Sequence, residues 1–97
     1  MPDAKFRHID ELEWHEVRAQ RHGDRRVSIT DAWFEFTPRM HCAFSRWDPG
    51  VIVQAHGHNG PHAILVLEGE MTCGDVHCTK GMHIVLEEGA SFGPSIA

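Results

Sequence analysis

The amino-acid sequence predicts an all-β fold of antiparallel strands. Apolar and β-branched residues occur in short runs, and turn signals interrupt them about every eight to twelve residues. No apolar pattern of helical period continues for more than about two turns. Short strands separated by such turns are typical of sandwiches and barrels. The chain has 97 residues, enough for one modest core, and we therefore expect a single functional site.

The first 26 residues differ in texture from the rest. They are polar and of mixed charge, and neither a helical nor a strand period stands out, although Gly23-Asp24 is a turn signal. We interpret residues 1–26 as an N-terminal arm that holds at most one short strand. Residues 27–97 form the predicted barrel domain.

Strand signals begin where the arm ends. Runs rich in β-branched and aromatic residues cover 27–30, 31–37 and 40–47. Pro38 and Pro49 stand beside the ends of these runs, where proline is tolerated because no ladder hydrogen bond is lost. The three runs therefore predict three consecutive strands.

The second half of the chain continues the pattern. Asp48-Pro49-Gly50 is a strong turn that leads into a predicted strand over 51–58. The run 62–68 is apolar nearly throughout, as expected of a strand covered on both faces. Gly74-Asp75 is a hairpin signal. Further strands are predicted over 71–73, 76–78 and 82–86, and a last turn leads toward Phe92.

The composition argues against two classes of partner. The formal net charge is −5, and the longest basic cluster is the Arg25-Arg26 pair, so a surface that follows a phosphate backbone is not expected. No apolar run approaches the roughly 20 residues of a membrane span, and the N-terminus has no apolar signal segment. The three cysteines are an odd number, which favours reduced thiols. We expect a cytoplasmic protein that binds neither nucleic acid nor membranes.

Histidine is the unusual component, with nine residues in the chain. His56, His58 and His62 fall within seven residues. Side chains two apart on a strand share a face, so His56 and His58 project together, and a turn at 59–61 can bring His62 to the same interior. Three imidazoles of this kind bind a divalent ion such as Fe, Ni or Zn and leave positions open. The alternative is that the three are polar side chains on a loop.

The remaining histidines carry weaker predictions. His8, His15 and His22 stand in the polar arm and His41 stands beside Cys42, and we interpret all four as surface residues. His77 and His83 stand on predicted strands near the trio. Either one is an alternative source of a fourth ligand if its side chain points inward.

With these positions in hand, residues 50–69 resemble the first sequence motif of the cupin superfamily. That motif runs glycine, five residues, histidine, one residue, histidine, three or four residues, glutamate, six residues, glycine. Gly50, His56, His58 and Gly69 stand at the family spacing, and His62 stands where the family has glutamate. The resemblance implies a metal centre formed by His56, His58 and His62.

The second cupin motif is kept only as a frame. Gly81 and Gly89 match its glycines, whereas Glu87 replaces its proline and Phe92 replaces its histidine ligand. The resemblance therefore implies a three-histidine centre with Phe92 as an apolar wall. It covers roughly residues 33–95 and implies a double-stranded β-helix, or jelly-roll, barrel.

The resemblance also suggests activities. All-histidine cupin centres are similar to those of acetylacetone-cleaving dioxygenases, and the residues around the site are similar to cupin domains of dihydroxyacetophenone-type dioxygenases and of zinc-binding anti-sigma factors. The first hypothesis is an Fe(II) dioxygenase acting on a small enolisable or aromatic ketone, because an ion on three neutral imidazoles retains its charge and favours an anionic substrate. The alternatives are a zinc-binding sensor without catalysis and a metal-free barrel that binds a small molecule.

The catalytic groups and the mode of assembly are less defined. Arg39, Arg46, Glu68 and Glu70 are available as anchoring or acid–base groups, but their spacing does not direct them to the metal. Cupin barrels have further strands after the second motif, whereas only five residues follow Phe92 here. We therefore expect N-terminal strands or a partner subunit to close the barrel, and a homodimer in which strands add across subunits.

Overall fold

The computed structural model describes residues 4–57 and 60–97, with the side chains of all of these except His56 and Phe92. Within these ranges the protein is all-β with antiparallel sheets, as predicted, and the only helical element is a 3-10 turn at Ile9–Glu11. No helix in these ranges is long and apolar enough to cross a membrane.

The chain divides into two compact units. The first ends at Asp48 and the second is Pro49–Ala97. The predicted border between an arm over 1–26 and a barrel over 27–97 falls inside the first unit, within a β-hairpin. That division stays a prediction about folding domains.

The first unit contains one sheet of three strands in chain order. β1 is Trp14–His22, β2 is Arg25–Phe36 and β3 is His41–Trp47, and each pairs antiparallel with the next. The nine residues of β1 exceed the one short strand expected in the arm, which is a correction. β1 is mostly exposed on both faces, so its sequence carries no alternation, and its pairing with β2 defines it.

Aromatic side chains cover the centre of this sheet. Ala32 is fully buried and its Cα partners are Trp14 on β1 and Phe44 on β3. The Trp14 and Phe44 rings meet edge to face with their centroids 6.0 Å apart. The Arg46 guanidinium lies 4.0 Å from the centroid of the Trp14 ring. Ring packing and a cation–π contact therefore exclude water from Ala32.

Ion pairs attach the N-terminal segment to β2. Arg7 donates a hydrogen bond of 2.6 Å to Glu35 and another of 2.6 Å to the Phe34 carbonyl oxygen, and Lys5 lies 3.1 Å from the same carboxylate. Hydrogen bonds from Arg7 and Lys5 lower the pKa of Glu35 below its ordinary value. The contacts stabilise the ionised carboxylate and hold residues 5–7 against β2.

The described part of the second unit, 49–57 and 60–97, contains eight short strands. Their pairing is nested: β7 with β8, β6 with β9, β5 with β10 and β4 with β11. The strands are β4 (Ile52–Val53), β5 (His56–Gly57), β6 (His62–Leu65), β7 (Glu70–Cys73), β8 (Val76–Thr79), β9 (His83–Leu86), β10 (Ser91–Phe92) and β11 (Ser95–Ile96). The β7–β8 hairpin turns at Gly74-Asp75, as predicted, and the predicted strand over 51–58 is divided into β4 and β5.

One register runs through the outer part of this nested ribbon. Val53 pairs with Ser95, His56 with Phe92 and His62 with Leu86. The spacing between Val53, His56 and His62 along the chain equals the spacing between their partners Ser95, Phe92 and Leu86. The two arms therefore stay in step from β4 to β6, as they do in one long antiparallel ribbon.

The last strand lies between two others. β11 pairs with β4 on one side and with β7 on the other, and the Ala97 carbonyl oxygen accepts a hydrogen bond of 2.9 Å from the Gly50 backbone N–H. β11 is therefore not an edge of its sheet, and the closure of a barrel by N-terminal strands or a partner subunit stays a prediction. The buried residues described in this unit are Val51, Val53, Val66, Cys78 and Ser95.

The strand at His62 also differs from its prediction. Along residues 62–67 the even positions are partly or fully buried and the odd positions are exposed. Leu65 is 53% exposed, so the strand is covered on one face and not on both. Burial alternates along this strand, but hydrophobicity does not, because the odd positions carry apolar residues although they face outward.

Candidate metal centre

The first of the predicted ligands stands on β5. His56 and Phe92 are direct cross-strand partners, and Gly57 and Ser91 form the next pair. Phe92 stands where the resemblance implies a histidine ligand, and the backbone pairs this position with His56. For His56 the described structure is that of the backbone, and His58 lies outside the described residues.

His62 is the predicted ligand whose side chain is described. It begins β6 and pairs with Leu86 on β9, and its side chain is on the same face as Ile64. The residue is partly buried, and its Nδ1 atom is withdrawn from solvent. This face is the covered one, since Ala63 on the opposite face is exposed. An imidazole at this position therefore points into the unit.

His83 points the other way. Its Cα partner is Leu65, and both belong to the exposed face of the β6–β9 pair. Side chains of direct cross-strand partners share a face, so His83 is directed away from the face that holds His62. It cannot complete a site that includes His62.

The His77 side chain contacts Glu70. Its Nε2 lies 2.9 Å from a Glu70 carboxylate oxygen across the β7–β8 hairpin, and its side chain is 59% exposed. A surface pair of this type is a local hydrogen bond. His77 is therefore not available as an inward ligand in this structure.

Two histidines of the first unit have structural contacts, consistent with the surface interpretation. His8 Nδ1 accepts a hydrogen bond of 3.1 Å from the Asp10 backbone N–H and so caps the 3-10 turn. The His41 ring stacks on Phe36 with 4.4 Å between ring centroids, and Trp33 meets both rings edge-on. These contacts explain their positions without a ligand.

A polar position that the sequence did not predict lies in the second unit. Ser95 is fully buried, and its hydroxyl has no hydrogen-bond partner among the residues that the structure describes. Its Cα partners are Val53 and Cys73, so the three side chains share a face. Nothing in the sequence marks this serine, because its burial depends on β11 pairing on both sides.

The described side chains do not by themselves form a metal centre. Within 4–57 and 60–97, no group of three or more histidine, cysteine, aspartate or glutamate residues is arranged to hold an ion. Of the predicted trio, only His62 has its ring among the described side chains. The three cysteines are all free thiols: Cys42 is exposed, Cys73 partly buried and Cys78 buried.

Comparison with known proteins finds no match: no protein-family model, curated protein or solved structure matches the chain.

Proposed function

We propose that the second unit is a cupin-type jelly roll in which His56, His58 and His62 bind one divalent metal ion. The nested strand pairing is the observation that carries this proposal. A jelly roll is an antiparallel ribbon folded back on itself, and β4 to β11 pair in that order with one register through three of the four pairs. The additional pairing of β11 with β7 joins distant parts of the ribbon, as coiling requires.

The glycines that frame the first motif support the same reading. Gly50 has φ 95° and Gly69 has φ 72°. These values lie in the left-handed region, where a side chain is strained and glycine is favoured. The motif spacing therefore begins and ends at turns of the chain, and His56 and His62 stand on strands between them.

The direction of His62 supports its role as a ligand. His62 is partly buried on the covered face of the β6–β9 pair, so its imidazole is directed into the unit. His56 stands on the preceding strand of the same arm of the ribbon, in the same register. These residues fit a first-row ion, since imidazole is a ligand for iron, nickel and zinc alike.

The activity we propose is that of a three-histidine dioxygenase acting on a small enolisable or aromatic ketone. The bound ion would supply Lewis-acid activation of an anionic substrate. The chain would supply the three neutral ligands and, through Phe92 opposite His56, an apolar neighbour in place of a fourth ligand. Free thiols on all three cysteines fit a reducing compartment such as the cytoplasm.

A zinc-binding sensor is the second candidate, and one observation favours it. Two of the four residues considered for substrate anchoring are engaged elsewhere: Arg46 lies over Trp14, and Glu70 contacts His77. A site with few acid–base groups is better suited to binding than to catalysis.

Elemental analysis of the full chain tests the metal proposal. The protein is purified without a polyhistidine tag or chelator, in parallel with His56→Ala. We expect one divalent ion per chain in the wild type and a loss in the variant. Iron or nickel, followed by oxygen uptake with β-diketones or aromatic ketones, supports the dioxygenase, and zinc without oxygen uptake supports the sensor. Absence of metal from the freshly purified and the reconstituted wild type would reject both.

A further inference from the structure

One face of the three-stranded sheet in the first unit carries a row of polar side chains. His15 on β1, Asp31 on β2 and Ser45 on β3 are consecutive Cα partners, so their side chains share this face. The Asp31 carboxylate accepts a hydrogen bond of 2.5 Å from the Ser45 hydroxyl. His15 and Ser45 are exposed and Asp31 is partly buried. The row therefore presents hydrogen-bonding groups at the surface of the sheet.

Two tryptophans lie on the same face, one on each side of this row. Trp33 is two residues from Asp31 on β2, and Trp47 is two residues from Ser45 on β3. The Trp47 indole donates a hydrogen bond of 3.0 Å to the Ser45 hydroxyl, which holds the ring beside the row. The Cα partner of Trp33 is Ala43, four residues from Trp47 along β3. At the rise of an antiparallel strand, four residues separate the two indoles by about 13–14 Å.

The side chains between the two indoles are small. Ala43 and Ser45 are both exposed, whereas the indoles at either end are partly buried and stand higher than these residues. The result is a shallow trough with an aromatic ring at each end and a carboxylate at its centre. We call it the β2–β3 trough and define it by Asp31, Trp33, Ala43, Ser45 and Trp47.

Neighbouring rings hold Trp33 in place. The Trp33 ring meets the Phe36 and His41 rings edge to face, with centroids 5.0 and 5.8 Å apart. The register of β2 against β3 shifts between Trp33 and Glu35, and this bulge keeps Phe36 on the same face as Trp33. A ring that is already held by its neighbours loses little side-chain freedom when a ligand packs on it.

The groups of the trough indicate the chemistry of a ligand. A pyranose ring presents C–H groups on its faces, which pack on aromatic rings, and hydroxyl groups at its rim, which donate to carboxylates. An indole and a carboxylate also suit an organic cation, but such a cation is bound by ring faces within about 6 Å of it. Two indoles about 13–14 Å apart do not surround one cation. Consecutive rings of an oligosaccharide, by contrast, can contact both.

We propose that the β2–β3 trough binds a neutral oligosaccharide of pyranose rings. Sugar rings pack on Trp33 and Trp47, and their hydroxyl groups donate to the Asp31 carboxylate, which has room for several hydrogen bonds. His15 at the end of the row is a further hydrogen-bonding group. The site uses residues of the first unit alone and is independent of metal binding in the second.

Isothermal titration calorimetry of the full chain with maltohexaose, cellohexaose and chitohexaose tests the proposal, with choline as the competing class of ligand. The wild type is expected to bind at least one of the oligosaccharides. Asp31→Asn is expected to bind it about tenfold more weakly, because an amide oxygen is a weaker acceptor than a carboxylate. Circular dichroism checks that each variant is folded.

A second variant fills the trough without touching its hydrogen bonds. Ala43→Ile places a larger, stiff side chain on an exposed strand position, which the sheet tolerates, and is expected to weaken binding by about tenfold or more. Ala19→Ile is the matched control, since Ala19 is exposed on β1 and its Cα partner Ser28 belongs to the opposite face. This control should bind like the wild type.

Three results would overturn the proposal. The first is that none of the three oligosaccharides binds. The second is binding that Asp31→Asn and Ala43→Ile leave unchanged, or that Ala19→Ile weakens as much as Ala43→Ile does. The third is tighter binding of choline than of the oligosaccharides. If Asp31→Asn is not folded, the comparison of Ala43→Ile with Ala19→Ile decides, because both positions are exposed.

Discussion

His56 and Phe92 are direct cross-strand partners on β5 and β10. In antiparallel pairs the Cβ atoms of such partners are about 4.5–5.5 Å apart. The pair joins the first predicted ligand to position 92, where the resemblance implies a histidine. A histidine at position 92 is therefore expected to lie beside His56.

The first prediction follows from this pair. Phe92→His is expected to tighten metal binding by about tenfold or more, because a fourth imidazole is added beside His56. Competition with a chromophoric chelator measures the affinity. Phe92→Leu is the control and should bind like the wild type. If Phe92→His and Phe92→Leu bind metal equally well, position 92 does not face the ion.

The second prediction concerns the buried hydroxyl of Ser95. Ser95→Ala removes a group that has no hydrogen-bond partner among the described residues, so the free energy of unfolding should be unchanged or rise by up to about 1 kcal/mol. Ser45→Ala is the matched control, because Ser45 donates to Asp31 at 2.5 Å and accepts from Trp47 at 3.0 Å. That change should cost about 0.5–1.5 kcal/mol.

Urea unfolding of the wild type and both variants makes this comparison. A loss of more than about 1 kcal/mol in Ser95→Ala would show that the hydroxyl has a bonded partner, such as a buried water molecule.

The third prediction uses the lowered pKa of Glu35. Hydrogen bonds from Arg7 and Lys5 lower this pKa in the folded state, so the ionised carboxylate stabilises the fold above the pKa of the unfolded chain. This contribution is lost as the pH falls through the folded-state pKa. Glu35→Gln should therefore be less stable than the wild type near neutral pH and equally stable in strong acid. Unfolding midpoints measured across the acid range check this, and a difference that does not shrink with acid would contradict it.

Much of the fold could be predicted because its signals are local. The Gly74-Asp75 turn and the two runs beside it specify the β7–β8 hairpin within ten residues. The register of the nested pairing could not be predicted, because Val53 and Ser95 are far apart in the chain and no local residue selects it. The length of β1 was underestimated for a similar reason: its residues are mostly exposed, and pairing with β2 makes it a strand.

The spacing of the candidate ligands could be predicted from the sequence, but the directions of the histidine side chains could not. His56, His58 and His62 stand out by number and spacing, whereas the sequence could not decide whether His83 joins them. The pairing of His62 with Leu86 and of Leu65 with His83 decides it, because that register puts His83 on the opposite face from His62. The prediction that residues 62–68 form a strand covered on both faces was wrong for the same reason, since composition does not show which face is covered.

The most direct test of the metal centre compares two histidines on the same β6–β9 pair. His62 is on the covered face and His83 is on the exposed face, so His62→Ala and His83→Ala remove the same side chain from opposite sides. The metal content of both variants is measured by elemental analysis after reconstitution and desalting. We predict about one divalent ion per chain in His83→Ala, as in the wild type, and none in His62→Ala. Full metal content in His62→Ala, with His83→Ala unchanged or depleted, would contradict the three-histidine centre.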